Sequence, residues 1–253
     1  LDIIKTQNSI IEGKNLGLKR ELFYQLPDSN THALIVSGVR RCGKSTLFLQ
    51  LLNDKYPDAF YFNFEHPRLY DFDKNDFLKL DEVIKESGKN VLLLDEIHNM
   101  SDWERFVRLK LDEGYKVLLN GSNAKLLSSE MGTKLTGRQI TKELFPFSFS
   151  EFSVFSGLEK NEESQLKYLI NGGFPDYIIN PEEQYLYQLF DDILVRDIAV
   201  RFGVRDIKTL KRLALFLLSN VGNLVTGNRL KTQFGMGATS TVMEYFAHLE
   251  LSY

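Results

Sequence analysis

The sequence predicts an α/β fold built on a parallel sheet with helices on both faces. Two apolar runs and one glycine-bracketed loop carry that prediction. The run Ala33 to Val36 leads into Gly38-Val39-Arg40-Arg41-Cys42-Gly43-Lys44-Ser45-Thr46 and then the helical-looking Leu47 to Leu52. That is strand, loop and helix in the order a phosphate-binding loop needs. The run Val91 to Leu94 is unbroken, as in a strand buried on both faces, and ends in Asp95 and Glu96. Around these landmarks strand-like and helix-like segments alternate, the pattern of a parallel sheet.

Taken in order, Asp2 to Gln25 has helical periodicity and reads as a lead-in beside the loop, and Pro27-Asp28-Ser29-Asn30 is the turn before the first strand. Tyr56-Pro57-Asp58 breaks the helix that follows the loop. Ala59 to Phe64 is aromatic enough for a second strand, with Glu65 directed toward the same edge as Asp95. Asp76 to Glu86 supplies an amphipathic helix. Ser101-Asp102-Trp103-Glu104 fits a capping box, opening a helix that runs to about Leu111. Tyr115 to Leu119 is a strand ending in Asn120-Gly121-Ser122-Asn123, and Gln139 to Leu144 is a fifth. Beyond Phe145, the stretch Pro146 to Phe152 is an aromatic, turn-forming crossover, and Glu159 to Gln165 is expected to be exposed and polar. From Leu166 the pattern is helical until Gly172-Gly173-Phe174-Pro175 interrupts it. Leu210 to Tyr253 shows three short helical patterns around Gly235-Met236-Gly237-Ala238, which suggests a helix-turn-helix.

The spacing G-x-x-x-x-G-K-[ST] lets backbone N–H groups and the positive end of the next helix surround an anionic phosphate chain. Gly38, Arg40, Arg41, Cys42, Gly43, Lys44, Ser45 and Thr46 are therefore the candidate nucleotide-binding residues. Lys44 reaches the β and γ phosphates, and Ser45 places its hydroxyl on Mg²⁺. Asp95, at a strand tip, is positioned to hold Mg²⁺ through a water, and Glu96 is the natural group to orient or deprotonate the water that attacks the γ-phosphorus.

Composition narrows the setting. The 253 residues exceed one small domain, so a core with an appended piece is expected. A formal net charge of -3 gives no general basic field for gripping nucleic acid. The single cysteine, Cys42, excludes an intramolecular disulfide. No apolar run approaches the length of a membrane span and no secretory leader stands at Leu1, so the expectation is a cytoplasmic protein.

With these residues placed, the chain resembles an AAA+ ATPase of the prokaryotic group with a G-x-R-R-x-G-K-[ST] loop, an L-D-E-[IV]-[HQ] motif and a downstream G-G-[FY]-P. Here these are Gly38 to Ser45, Leu94 to His98 and Gly172 to Pro175. Leu135-Thr136-Gly137-Arg138 and the Pro146 to Phe152 crossover extend the likeness over most of the chain. The resemblance implies a P-loop NTPase core of the AAA+/ASCE type over 1-150, a helical lid over 151-205 and a partial winged-helix segment over 206-253. It implies ATP and Mg²⁺ as cofactors. In that group a further C-terminal domain, often described as nuclease-like, follows the winged helix, so this chain looks like the front part of a longer protein.

The family pattern also suggests Asn123, preferred over Ser122, as the first sensor, and Arg138 as an arginine finger acting in a neighbouring subunit. It suggests Asn63 or Glu65 as a switch restraining Glu96, and Arg196 or Arg201 as a second sensor. A homo-oligomer is then expected, with the protein partner unidentified. The leading function is ATP hydrolysis that drives a conformational switch; the alternative is a nucleotide-gated regulatory module that binds DNA or protein with little turnover. DNA is the weaker partner, because Thr239 to Glu250, the candidate recognition helix, carries Glu244 and Glu250 and no lysine or arginine, leaving Arg229 and Lys231 nearby. The D-E-x-H spelling at Asp95 to His98 points to a helicase class less well, since Arg41 stands where that class has a loop glycine. A small-molecule P-loop kinase is disfavoured by the adjacent Asp95 and Glu96.

Overall fold

A computed structural model describes residues 2–11, 16–121, 135 and 137–250. Five strands form one sheet, all of it parallel: β1 (Ala33–Ser37), β2 (Phe60–Asn63), β3 (Val91–Asp95), β4 (Lys116–Gly121) and β5 (Gln139–Glu143), in the order β2-β3-β4-β1-β5. The period-2 alternation of strand side chains splits the core into two layers. On one face Ala33, Ile35, Leu92, Leu94, Val117 and Leu119 meet α4 (Lys74–Ser87) and α5 (Trp103–Asp112). On the other, Leu34, Val36, Leu93 and Leu118 meet α3 (Lys44–Asp54). Both faces being covered explains why β1 and β3 read as apolar runs rather than alternating ones. The lead-in forms α1 (Asp2–Ile11) and α2 (Glu21–Gln25).

Two expectations are corrected. The helix α5 has no capping box: Asp102 stands at its start with φ +60° and makes no side-chain cap bond. A capping side chain reaches the first-turn amides from extended backbone, and here the burial of Trp103 in the first core layer, 3% exposed, goes with a left-handed entry instead. Capping boxes occur elsewhere, at Asp73 and Asp76 before α4, at Ser148 and Glu151 before α6 (Phe149–Ser156), and at Asn161 and Ser164 before α7 (Glu162–Asn171). The second correction concerns one residue: the stretch 159–165 is exposed as expected except for Ser164, which the last of these boxes buries.

The double glycine ends α7, and α8 (Pro175–Ile179) follows it. Gly173 has a packing reason: a Cβ there would lie 2.3 Å from the Phe147 carbonyl oxygen. The chain divides into two compact units, Leu1–Ile179 and Asn180–Tyr253, so the division falls inside the segment that the sequence assigns to a lid. The second unit is helical: α9 (Glu183–Asp192), a π-helical stretch Ile193–Val200, α10 (Ile207–Ser219), α11 (Gly227–Phe234) and α12 (Thr239–Glu250) around Leu194, Leu210, Leu213, Leu230 and Val242. Left-handed Gly235, at φ +65°, closes α11 before the turn into α12.

Candidate functional site

The loop between β1 and α3 is set by two glycines with different tasks. Gly38 has φ +153°, and a Cβ there would lie 2.1 Å from the Leu144 carbonyl oxygen. Gly43, at φ +100°, caps α3 in a conformation that favours glycine. Arg41 between them holds φ +66°, a strained value for a residue with a side chain. Lys44 is 4% exposed, and its Nζ donates to the carbonyls of Gly38 and Val39, each at 3.0 Å. The ammonium therefore lies across the loop on two neutral acceptors, where an anion would be a stronger partner. Cys42 is buried, and burial pushes its thiol pKa up against the opposing pull of Lys44 and Arg20, which leaves it poorly reactive.

Asp95 ends β3 with no solvent exposure. Its Oδ1 accepts from Ser45 Oγ at 3.1 Å and its Oδ2 from the Tyr61 hydroxyl at 2.7 Å. Burial, and then the Glu96 charge, push its pKa up to about 6, against the lowering influence of Tyr61, Asn120 and Ser45. Burial and the Asp95 charge drive the Tyr61 phenol upward, so it remains a donor. Glu96 follows in left-handed backbone, φ +55°, with its N–H held by Asn120 Oδ1 at 3.0 Å. Its carboxylate lies 3.3 Å from His98 Nδ1. Buried Asn120, on β4 beside β3, thus fixes the peptide that aims Glu96.

One cleft of about 490 Å³ is bordered by Arg40, Lys44, Ser45, Thr46, Glu65 and Glu96. Leu16, Leu18, Phe155 and Ile179 also line it. Gln50 of α3 ties the Leu16–Leu18 backbone down, its Nε2 donating to the carbonyls of Leu16 and Leu18 at 2.7 and 2.8 Å. Glu65 stands 4.0 Å from Arg40, and the Asn63 side chain accepts from the Glu65 N–H at 2.7 Å. Ser45 and Asp95 bring two hard oxygen donors together, a set that fits Mg²⁺.

Other candidates fall elsewhere. Arg138 precedes β5, and its carbonyl accepts from the N–H of Ala33, the first residue of β1. In a parallel sheet this is the edge opposite the loop after Ser37, and there Arg138 pairs with Asp112. Arg196 pairs with Asp192 at 3.3 Å, one turn earlier, rather than with the adjacent Asp197, and Arg201 lies 5.0 Å over the Phe202 ring. Ser122 and Asn123 lie outside the described residues. The sequence reading missed Tyr61, Asn120 and Gln50, and also Arg20, which is paired with Glu151. A polar residue closing an apolar strand was the available signal for Asn120; none marked Tyr61 among the other aromatics of β2.

Residues 30–153 match the family model described as an AAA domain, and residues 162–253 match a domain of unknown function (DUF8612). The chain is 34% identical to the uncharacterized protein MJ1544 of Methanocaldococcus jannaschii, over 84% of this chain and 54% of that protein. It is also 34% identical to an uncharacterized protein of Haemophilus influenzae, over 85% of this chain and 59% of that one. The chain thus spans little more than half the length of the curated relatives it matches. Superposition on AMPPCP-bound DnaA from Aquifex aeolicus covers 99% of this chain and 88% of that one at 13% identity, with a TM-score of 0.40. Among the described residues no helix is long and apolar enough to cross a membrane.

Proposed function

From a chain that is an AAA+ P-loop ATPase-like protein, we propose an enzyme that binds ATP with Mg²⁺, hydrolyses it to ADP and phosphate, and uses the cycle to drive a conformational switch in its lid and winged-helix segments. The observation that carries this reading is the 3.1 Å contact between Ser45 Oγ and Asp95 Oδ1 at the rim of the cleft that Glu96 also lines. Phosphate-loop hydroxyl, strand-end carboxylate and a second carboxylate meet where a phosphate chain lying on the loop would end.

Ser45 and Asp95 would hold Mg²⁺, which when bound neutralises phosphate oxygens and orients them. Lys44 exchanges the carbonyls of Gly38 and Val39 for phosphate oxygens, replacing neutral acceptors by charged ones. Glu96 takes a proton from the attacking water as the new P–O bond forms at the γ-phosphorus and the bond to the β–γ bridging oxygen breaks. The adenine base sits against Leu16, Phe155 and Ile179, on backbone steadied by Gln50. Arg138, on the far edge of its own sheet, serves a neighbour's site in a homo-oligomer. The helices α11 and α12 contact protein rather than reading DNA, since α12 has acidic residues and no lysine or arginine.

The test is phosphate release from ATP with Mg²⁺ across protein concentration, for the parent, Glu96→Gln and Arg138→Ala. Turnover per subunit that rises with concentration and is lost in both variants is expected. Tight ATP binding without Glu96-dependent turnover would sink the hydrolase and leave a nucleotide-gated module.

A further inference from the structure

Arg20 belongs to no motif, stands before α2 and takes no part in the chemistry above, yet it is buried among the residues that build the loop. Its Nε and Nη2 grip the two carboxylate oxygens of Glu151 at 2.8 and 3.0 Å. Nη2 also donates to the Phe145 carbonyl and Nη1 to the Cys42 carbonyl, each at 2.7 Å. The guanidinium carbon lies 4.8 Å from the Phe147 ring centroid. Glu151 is held in turn by the N–H groups of Glu21 and Ser148, at 2.9 and 3.0 Å. Every member of this cluster is satisfied, which is the condition under which a buried ion pair fixes geometry.

The Cys42 carbonyl is the telling partner, because it belongs to the phosphate loop itself. The Cys42–Gly43 peptide is trans and planar, so its C=O and the Gly43 N–H point to opposite sides. Glycine at φ +100° offers little steric resistance to rotation of that peptide. A flip would turn a carbonyl dipole toward the anion and take an N–H away from it. Arg20 Nη1 opposes the flip, since it bonds the carbonyl that the flip would turn away.

We propose that Arg20 is a positioning residue for nucleotide phosphates: by holding the Cys42 carbonyl it locks the Cys42–Gly43 peptide with its N–H turned to the phosphate side, and Glu151 is the anchor that keeps Arg20 there. This rests on the nucleotide-binding reading above. Lysine at position 20 keeps the charge but lacks the planar fork, so it can serve Glu151 or Cys42 and not both. Calorimetric titration with Mg-ADP and with Mg-pyrophosphate, on the parent, Arg20→Lys and Glu151→Gln, reads the effect, alongside thermal unfolding of each protein without ligand. Arg20→Lys is expected to weaken both ligands by the same factor, about tenfold, as loss of a charge-assisted bond implies. Glu151→Gln is expected to weaken both about threefold.

Unchanged pyrophosphate affinity in a folded Arg20→Lys protein overturns the proposal. So does a loss for ADP alone, which would put the effect at Leu16 and Leu18 and the base. If Arg20→Lys does not fold, Glu151→Gln decides by the same two comparisons. A parent that binds neither ligand overturns the nucleotide reading and this proposal together, whereas a parent that binds both beside unaffected variants leaves the reading standing and removes only Arg20.

Discussion

The two compact units bury different things. In Leu1–Ile179 the interior holds Arg20, Lys44, Asp95, Asn120 and Glu151 beside its apolar layers, whereas in Asn180–Tyr253 the buried side chains are apolar apart from the Tyr245 phenol. Among the described residues every buried side chain of a strongly polar or charged type lies at or before Ser164. Burying charge is costly even when it is paired, so the first unit gives up stability to hold these groups inside. Among the described residues of the second unit no charged side chain is buried as a whole. Substitutions should therefore separate chemistry from stability in the first unit and find only stability in the second.

The largest expected effect is on chemistry alone. Glu96→Gln keeps side-chain size and the left-handed backbone whose N–H rests on Asn120, and removes the base. Steady-state ATP turnover should fall by about 10²- to 10⁴-fold with the melting temperature nearly unchanged. A large drop in melting temperature instead would mean that Glu96 is a structural acid. The counterpart in the second unit is Leu230→Ala, at a fully buried position between α10 and α12. It should cost about 2–5 kcal/mol in urea unfolding. At a temperature where both proteins are folded, ADP affinity should be unaltered; a tenfold loss would show that the nucleotide site depends on the second unit's packing.

Asp95 carries the contrast to smaller scale. Its folded pKa of about 6 stands above the 3.8 of an unexposed-to-partner, unfolded aspartate. Between those values the folded protein holds a proton that the unfolded chain has released, so the stabilisation is complete below about pH 4 and is lost as pH rises through 6. Above that, ionised Asp95 leaves a standing penalty. Asp95→Asn removes it, and without metal or nucleotide should raise unfolding free energy by roughly 1–3 kcal/mol at pH 7.5, with the gain vanishing toward pH 4. A gain that is independent of pH would assign the effect to packing.

Much of the first unit was legible because its signals are local. The phosphate loop is a contiguous spacing, and β3 announces its burial by an unbroken apolar run, so Lys44, Ser45, Asp95 and Glu96 follow from short windows of sequence. What was missed depends on partners far along the chain. Arg20 meets Glu151 across 131 residues and Tyr61 meets Asp95 across 34, and no periodicity marks such pairs before the sheet order is known. Asn120 was visible as a strand-ending polar residue, but β4 runs further than its apolar stretch and draws Asn120 inside. The failed capping box at Ser101 teaches the converse: a correct local pattern gave way where a buried tryptophan set the direction of entry.

The smallest expected effect asks whether the contrast between the units has an exception. Arg196 is two-thirds exposed and sits one helical turn from Asp192, at 3.3 Å. As a solvated ion pair it contributes roughly 0.3–0.5 kcal/mol, and Arg196→Ala should shift the melting temperature little and leave ATP turnover alone. As a second sensor it would instead contact phosphate during the cycle, and the same substitution would lower turnover by tenfold or more at unchanged stability. Measuring both quantities on one variant decides between them, because a side chain this exposed has no packing role through which lost stability could imitate lost catalysis. A turnover defect would extend the chemistry of the first unit to a residue of the second that static burial gives no reason to single out, and Arg201, stacked on Phe202, would then be the next to test.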